Sequence, residues 1–212
     1  MFQDNKNIEK KIWQEIDAVV NQYEMLEDQD CLLVGITGDG SSLMLARKLK
    51  ELKEKQVKSF QMKFMVFVPN DDKEAEEEII HAVNAAGITE YTIFSGNFVQ
   101  EFYNELLKMN CNKVVLTQNY DMIVERTFMS FVENKEVKEF LPKFFSPCYE
   151  GVEFICPLCQ VKEADIQKWV KQNHMTVASS NYEYHYIPTE NRLDMMKRRT
   201  KKRFMFRVYE GV

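Results

Sequence analysis

An α/β protein, with a parallel sheet covered by helices on both faces, is the class this sequence predicts. Two observations carry it. Short apolar runs of strand length alternate with longer segments whose apolar residues recur at helical spacing. The runs are continuously apolar, as strands buried on both faces are. Composition allows a sizeable core: 45% of the 212 residues are hydrophobic, with 15 Phe, 12 Met and 9 Tyr. The 7 Gly and 5 Pro are too few for collagen-like or linker-rich classes.

From about Asn7 to Met25, Ile8, Ile12, Ile16, Val19, Val20 and Tyr23 fall at helical spacing, with charge on the other face. Cys31 to Ile36 reads as the first buried strand, Thr37 to Ser42 as a turn, and Leu43 to Lys55 as a helix of strong helix formers. Phe64 to Val68 is a second strand closed by Pro69 and Asn70, and the acidic Lys73 to Ala86 a surface helix ended by Gly87. A third strand at Tyr91 to Phe94, a helix at Asn97 to Met109 and a fourth strand at Lys113 to Leu116 repeat the pattern. A helix at Asp121 to Val132, a fifth strand at Val152 to Cys156 and a helix at Ala164 to Gln172 complete it. The expected organisation is an N-terminal helix over residues 1–30, a five-stranded α/β domain over 31–177 and an extension over 178–212.

Open parallel sheets bind ligands beyond the carboxyl ends of their strands, so the polar residues after strands one and four come first. After strand one stands Thr37-Gly38-Asp39-Gly40-Ser41-Ser42, leading directly into a helix. Glycines let a backbone approach an anion, hydroxyls donate to it, and a helix N-terminus presents free N–H groups. A tight turn with Ser41 or Ser42 as N-cap accounts for the same residues. The loop lacks the Lys-Ser/Thr pair of a Walker P-loop and the G-x-G-x-x-G of a dinucleotide fold.

Strand, Thr37-Gly-Asp-Gly-Ser-Ser42 and Leu43-Met-Leu-Ala46 together resemble the PP-loop of the N-type ATP pyrophosphatases, Ser-Gly-Gly-x-Asp-Ser. Lys113-Val-Val-Leu-Thr-Gln-Asn-Tyr-Asp-Met-Ile-Val-Glu-Arg-Thr-Phe128 resembles the Ala-Leu-Gly-His-His-x-Asp-Asp-x-x-Glu-Thr segment of tRNA lysidine and tRNA 2-thiocytidine synthetases. Phe154-Ile-Cys-Pro-Leu158, then Lys162-Glu-Ala-Asp-Ile166, resembles their Arg-Pro-Leu strand and the helix after it. Order and spacing agree over about Leu32 to Val177. The resemblance implies an adenine nucleotide alpha hydrolase-like fold, use of ATP and Mg²⁺, and adenylation of a tRNA base followed by thiolation or amine ligation. It implies that Gly38, Gly40, Ser41 and Ser42 cradle pyrophosphate and that Asp121 helps place Mg²⁺, with Ser42 and Asp121 in the catalytic roles. Backbone groups at Gly35, Ile36, Val68 and Pro69 would hold adenine, and Thr37, Asp39 and Thr117 would complete the nucleotide site.

The chain also departs from that pattern. Asp39 replaces the second glycine, Gly40 takes the variable place, and Ser41 stands where the family has aspartate. The His pair has become Gln118 and Asn119, and the second aspartate Met122. An acid at 39 aimed at phosphate oxygens would repel a triphosphate unless a metal or a turned-away rotamer intervened. Asp121 and Glu125 read equally as an acid favoured at a helix start and a surface glutamate. A catalytically inactive nucleotide- or RNA-binding protein of the same fold is therefore the alternative, since backbone recognition of adenine survives side-chain change.

Cys156-Pro-Leu-Cys159, with Cys148 upstream, is a single C-x-x-C without a second pair, thin ground for zinc. Thiolation members of the resembled family place their pair between strands three and four, where this chain has only Cys111. Structural thiols are therefore expected and an iron–sulfur cluster is not. Five cysteines, an odd number, suit reduced thiols in a cytoplasmic setting. No apolar run approaches the roughly 18 residues that span a bilayer, so no membrane partner is expected. The three histidines, His81, His174 and His185, lack a nucleophile at recognisable spacing.

The formal charge is −5, but Arg192 to Arg207 alone carries eight basic residues against Asp194, leaving the rest at −12. Lys197, Arg198, Arg199, Lys201, Lys202 and Arg203, followed by Phe204 and Phe206, suit contact with tRNA through phosphate attraction and base stacking. A face paired with the acidic body, a partner-binding arm, or a strand at a homodimer edge would use the same composition.

Overall fold

The computed structural model describes residues 2–56, 58–95, 99–134, 140–146 and 150–178. Its elements are α1 (Phe2–Gln22), β1 (Cys31–Ile36), α2 (Gly40–Glu54), β2 (Gln61–Phe67), α3 (Lys73–Ala85), β3 (Thr92–Phe94), α4 (Val99–Lys108), β4 (Lys113–Val115), α5 (Tyr120–Asn134), β5 (Lys143–Phe145), β6 (Glu153–Ile155) and α6 (Glu163–Gln172). The sheet runs β3-β2-β1-β4-β6-β5, parallel throughout except for β5, which pairs antiparallel with β6 at the edge. Every strand expected from the sequence is present, and the sheet has six strands instead of five. The addition is β5, three residues behind Pro142 with Phe145 facing solvent, too short and too exposed to leave an apolar signature.

Side chains of a strand alternate between faces, and the two cores follow that alternation. Leu32, Val34, Ile36, Val66, Val115 and Ile155 point into one core with Ile12, Ile16 and Val19 of α1, Leu43, Met44, Leu45, Ala46 and Leu49 of α2, Ile79 and Val83 of α3, and Ile166 and Trp169 of α6. Leu33, Met65, Phe67, Val114 and Phe154 point into the other, with Phe102, Tyr103 and Leu106 of α4. The N-terminal helix is thus part of the main core. Trp13 lies 6.0 Å from Trp169, and Lys11 donates to Asp165 at 2.5 Å, tying α1 to α6.

Strand order reverses direction between β1 and β4, which makes the crevice beyond their carboxyl ends the topological switch point. The Thr37–Ser42 loop leaves β1 there, and Leu116 to Asn119 leave β4 beside it. At the opposite end, Lys113 is buried with its ammonium 2.9 Å from Asp30, 3.2 Å from Glu153 and 3.3 Å from Glu27. Burial opposes that charge, but Asp30 and Glu153 outweigh it and hold the lysine above its ordinary range.

Candidate functional site

The Thr37–Ser42 loop is built around the first turn of α2. Asp39 is the N-cap: its backbone is extended (φ −80°, ψ 168°) and its carboxylate accepts from the Ser42 N–H at 2.7 Å. Such a cap stabilises a helix by about 1 kcal/mol. The sequence expectation of a Ser41 or Ser42 cap is therefore corrected. The acid wins the place because a short carboxylate reaches the third N–H of the turn and answers the positive end of the helix dipole. Ser42, fully buried, is occupied too: its hydroxyl donates to the Asp39 carbonyl at 3.1 Å and accepts from the Thr37 N–H and hydroxyl, both at 3.3 Å. Helix geometry leaves the N–H groups of Gly40 and Ser41 without an intrahelical acceptor. Those are the donors an anion would use.

Each glycine of the loop has a packing reason. Gly38 sits at φ +77°, and a Cβ there would lie 3.1 Å from Ala178 Cβ and 3.2 Å from Ile79 Cα. A Cβ on Gly40 would lie 2.7 Å from Val170 Cγ2 and 3.3 Å from Ile166 Cγ2, both on α6. On Gly35 it would lie 2.8 Å from the Phe67 ring. Ala178 also donates its N–H to the Gly38 carbonyl at 2.9 Å, so the segment after α6 crosses directly over the loop. Ile36, Thr37, Gly38, Gly40, Ser41 and Ser42 are buried, and Asp39 is half-buried. Val68 and Pro69, expected near adenine, are buried as well, and Val68 continues the sheet by donating to Phe94 O at 3.0 Å.

At the end of β4, Thr117 is half-buried, and Gln118 and Asn119 are buried. Asn119 caps α5, accepting from the Met122 N–H at 3.0 Å, and donates to Glu163 at 2.6 Å. Asp121 is exposed, and its carboxylate accepts from the Glu163 N–H at 2.7 Å, supplying the cap that Lys162 does not give α6. The side-chain oxygen of Gln118 is buried without a hydrogen-bond partner, next to the backbone carbonyl that accepts from Cys156 Sγ at 3.4 Å. The structure therefore brings Thr37 to Ser42 into one hydrogen-bonded unit and ties Asp121 to the start of α6, whose later residues pack on Gly40. Sequence reasoning missed Asn119 and Asp39 as caps, although a short polar residue before a helix signals one. Nothing in the local sequence announced Ala178.

Cys156 and Cys159 stand at the end of β6, both buried. Burial pushes the Cys156 thiol well above its ordinary range and the Cys159 thiol up to about 11. Protonated thiols are poor nucleophiles. Among the described residues no three His, Cys, Asp or Glu side chains gather closely enough to hold a metal ion. No described helix is long and apolar enough to cross a membrane. Cys148, His185, Asn97 and the basic residues Lys197, Arg198, Arg199, Lys201, Lys202 and Arg203 lie outside the described residues.

No protein-family model matches the chain. It is 22% identical over 184 residues to a tRNA-cytidine(32) 2-sulfurtransferase of Anaeromyxobacter sp. (strain Fw109-5), covering 77% of this chain and 60% of that protein. It is 24% identical over 200 residues to a tRNA-cytidine(32) 2-sulfurtransferase 2 of Francisella tularensis subsp. holarctica, covering 83% of this chain and 73% of the relative. Among solved structures it is similar to the U34-tRNA thiolase NcsA from Methanococcus maripaludis with its [4Fe-4S] cluster, with a TM-score of 0.66 and 13% identity over 92% of this chain and 75% of that one. Candida glabrata FMN adenylyltransferase, in complex with FMN and the ATP analog AMPCPP, is similar at a TM-score of 0.56 and 10% identity, over 84% of this chain and 62% of that one. The fold is the one these enzymes share, and the resemblance to the PP-loop group read from the motifs is supported.

Proposed function

We propose that this chain works in tRNA modification as a PP-loop-type protein that binds an adenine nucleotide at the β1–β4 switch point. One observation carries the reading: the two segments that resemble the family's motifs lie side by side there, in a chain similar to tRNA sulfurtransferases over most of its length. The nucleotide-binding unit is residues 31–177, with the 178–212 extension reaching for tRNA. In the active form, a carbonyl oxygen of a tRNA base attacks the α-phosphorus of ATP, pyrophosphate leaves, and a sulfur or amine nucleophile then displaces AMP. The N–H groups of Gly40 and Ser41 suit the departing pyrophosphate. Mg²⁺ commonly binds through substrate phosphates and one or two carboxylates, and Asp121 would supply one.

A second reading, nucleotide or RNA binding without turnover, is favoured by Asp39 and Asp121 themselves. One carboxylate caps α2 and the other caps α6, so both acids already serve helix ends. Calorimetric titration with ATP·Mg²⁺, paired with pyrophosphate release in the presence of bulk tRNA, separates the two. Binding with release supports the enzyme; binding without release supports the second reading; no binding removes nucleotide from both. For the extension, neutralising Lys197 to Arg203 should weaken tRNA binding and flatten its salt dependence by about 4–5 log units per log unit of salt. An unchanged slope would give the extension a non-RNA role.

A further inference from the structure

We propose that Cys31 and Cys111 form a reversible disulfide site at the end of the sheet opposite the switch point, with a low-molecular-weight disulfide such as oxidised glutathione as its oxidant. The two sulfurs are 2.9 Å apart although 80 positions separate them in the chain. A disulfide needs about 2.05 Å, a closure of about 0.9 Å that lies within side-chain rotation. The backbone around them is pinned. Asn112 donates its N–H to Cys31 O at 3.1 Å, accepts from the Cys31 N–H at 2.7 Å, and donates from its side chain to Asp30 at 2.9 Å. Cys31 opens β1 and is half-buried, so a small oxidant reaches it; Cys111, just before β4, is buried behind it.

The electrons balance as follows. The Cys31 thiolate attacks one sulfur of the oxidant, forming a mixed disulfide and expelling one glutathione thiolate. Cys111 then attacks the Cys31 sulfur and expels the second. Two protein thiols are oxidised, one glutathione disulfide is reduced, and the two thiol protons pass to the leaving thiolates. Burial and the neighbouring Cys31 raise the Cys111 thiol while Lys63 opposes them, so the second step is the slower one. The product joins β1 to β4, about 20 Å along the chain direction of β1 from the candidate loop, and the pair goes beyond the nucleotide reading.

The test equilibrates the full chain in glutathione buffers of increasing disulfide fraction, quenches with acid, alkylates free thiols and maps peptides by mass. The expected product has lost about 2 Da and yields a Cys31–Cys111 cross-linked peptide that reductant removes. That peptide is absent from Cys31→Ser and Cys111→Ser, and oxidised wild type melts about 5–10 °C higher through loop closure. A stable glutathione adduct on Cys31 without the cross-link overturns the proposal, as does cross-linking of Cys31 to Cys148 instead. Because the decisive peptide is read in wild type, poor folding of either variant leaves the test intact.

Discussion

Replacing Asp39 by Asn isolates charge from capping. Both residues cap helices equally well, so the bond to the Ser42 N–H at 2.7 Å survives and stability should move by less than about 0.5 kcal/mol. The charge does not survive. A phosphate accepting from the Gly40 and Ser41 N–H groups would sit about 4–6 Å from the carboxylate. Two unit charges at that range repel by about 3–4 kcal/mol at an effective dielectric of 20. Asp39 is half-buried, so screening by water lowers this to about 1–2 kcal/mol. Asp39→Asn should therefore bind pyrophosphate or ATP about 5- to 30-fold more tightly. Calorimetric titration of wild type and variant, with melting curves recorded alongside, reads both quantities. An affinity that is unchanged while folding is intact would place the phosphate elsewhere. A weaker affinity restricted to Mg²⁺-loaded nucleotide would make Asp39 a metal ligand, and the reasoning from repulsion would be refuted.

Gly40→Ala puts a methyl 2.7 Å from Val170 Cγ2 and should cost about 1–3 kcal/mol by overpacking, with partial recovery in the Val170→Ala double variant, read as thermal midpoints. Lys113→Met leaves the buried carboxylate of Asp30 without its cation and Glu153 with Lys143 alone, and should destabilise by about 3–5 kcal/mol in urea melts. The same lysine sets an alkaline limit. Its folded-state value is raised above 10.5, so its stabilisation is full below about pH 10.5 and is lost as pH climbs through the folded value. Urea midpoints should fall above that pH more steeply in wild type than in Lys113→Met. In native protein a thiol reagent should label Cys31 before Cys156 and Cys159, which should react only after unfolding; equal rates would contradict the buried placement of the pair.

Much of the fold was legible because its signals are local. Cys31 to Ile36, Phe64 to Val68 and Val114 to Leu116 are apolar runs, and the helices between them carry 3.6-residue periodicity. Such patterns need no knowledge of the partner. The antiparallel β5 escaped because three residues, one of them exposed, carry too little pattern to stand out. The candidate loop was legible in position but not in state. Local chemistry left Asp39 either facing a phosphate or turned away, and the Ser42 N–H decides the matter within four residues.

What the sequence by itself determined is the α/β class, the order of its elements and the two polar segments that follow β1 and β4. Only the tertiary structure decided why those segments look as they do. Gly40 is small because Val170, 130 positions away, packs against it, and Gly38 lies beneath Ala178. Asp121 caps a helix that begins 42 residues later, and Cys31 meets Cys111 across 80. Periodicity records how a segment meets its own neighbours, whereas these contacts arise only when the chain closes on itself. At long separation, burial and strand order decide which groups meet.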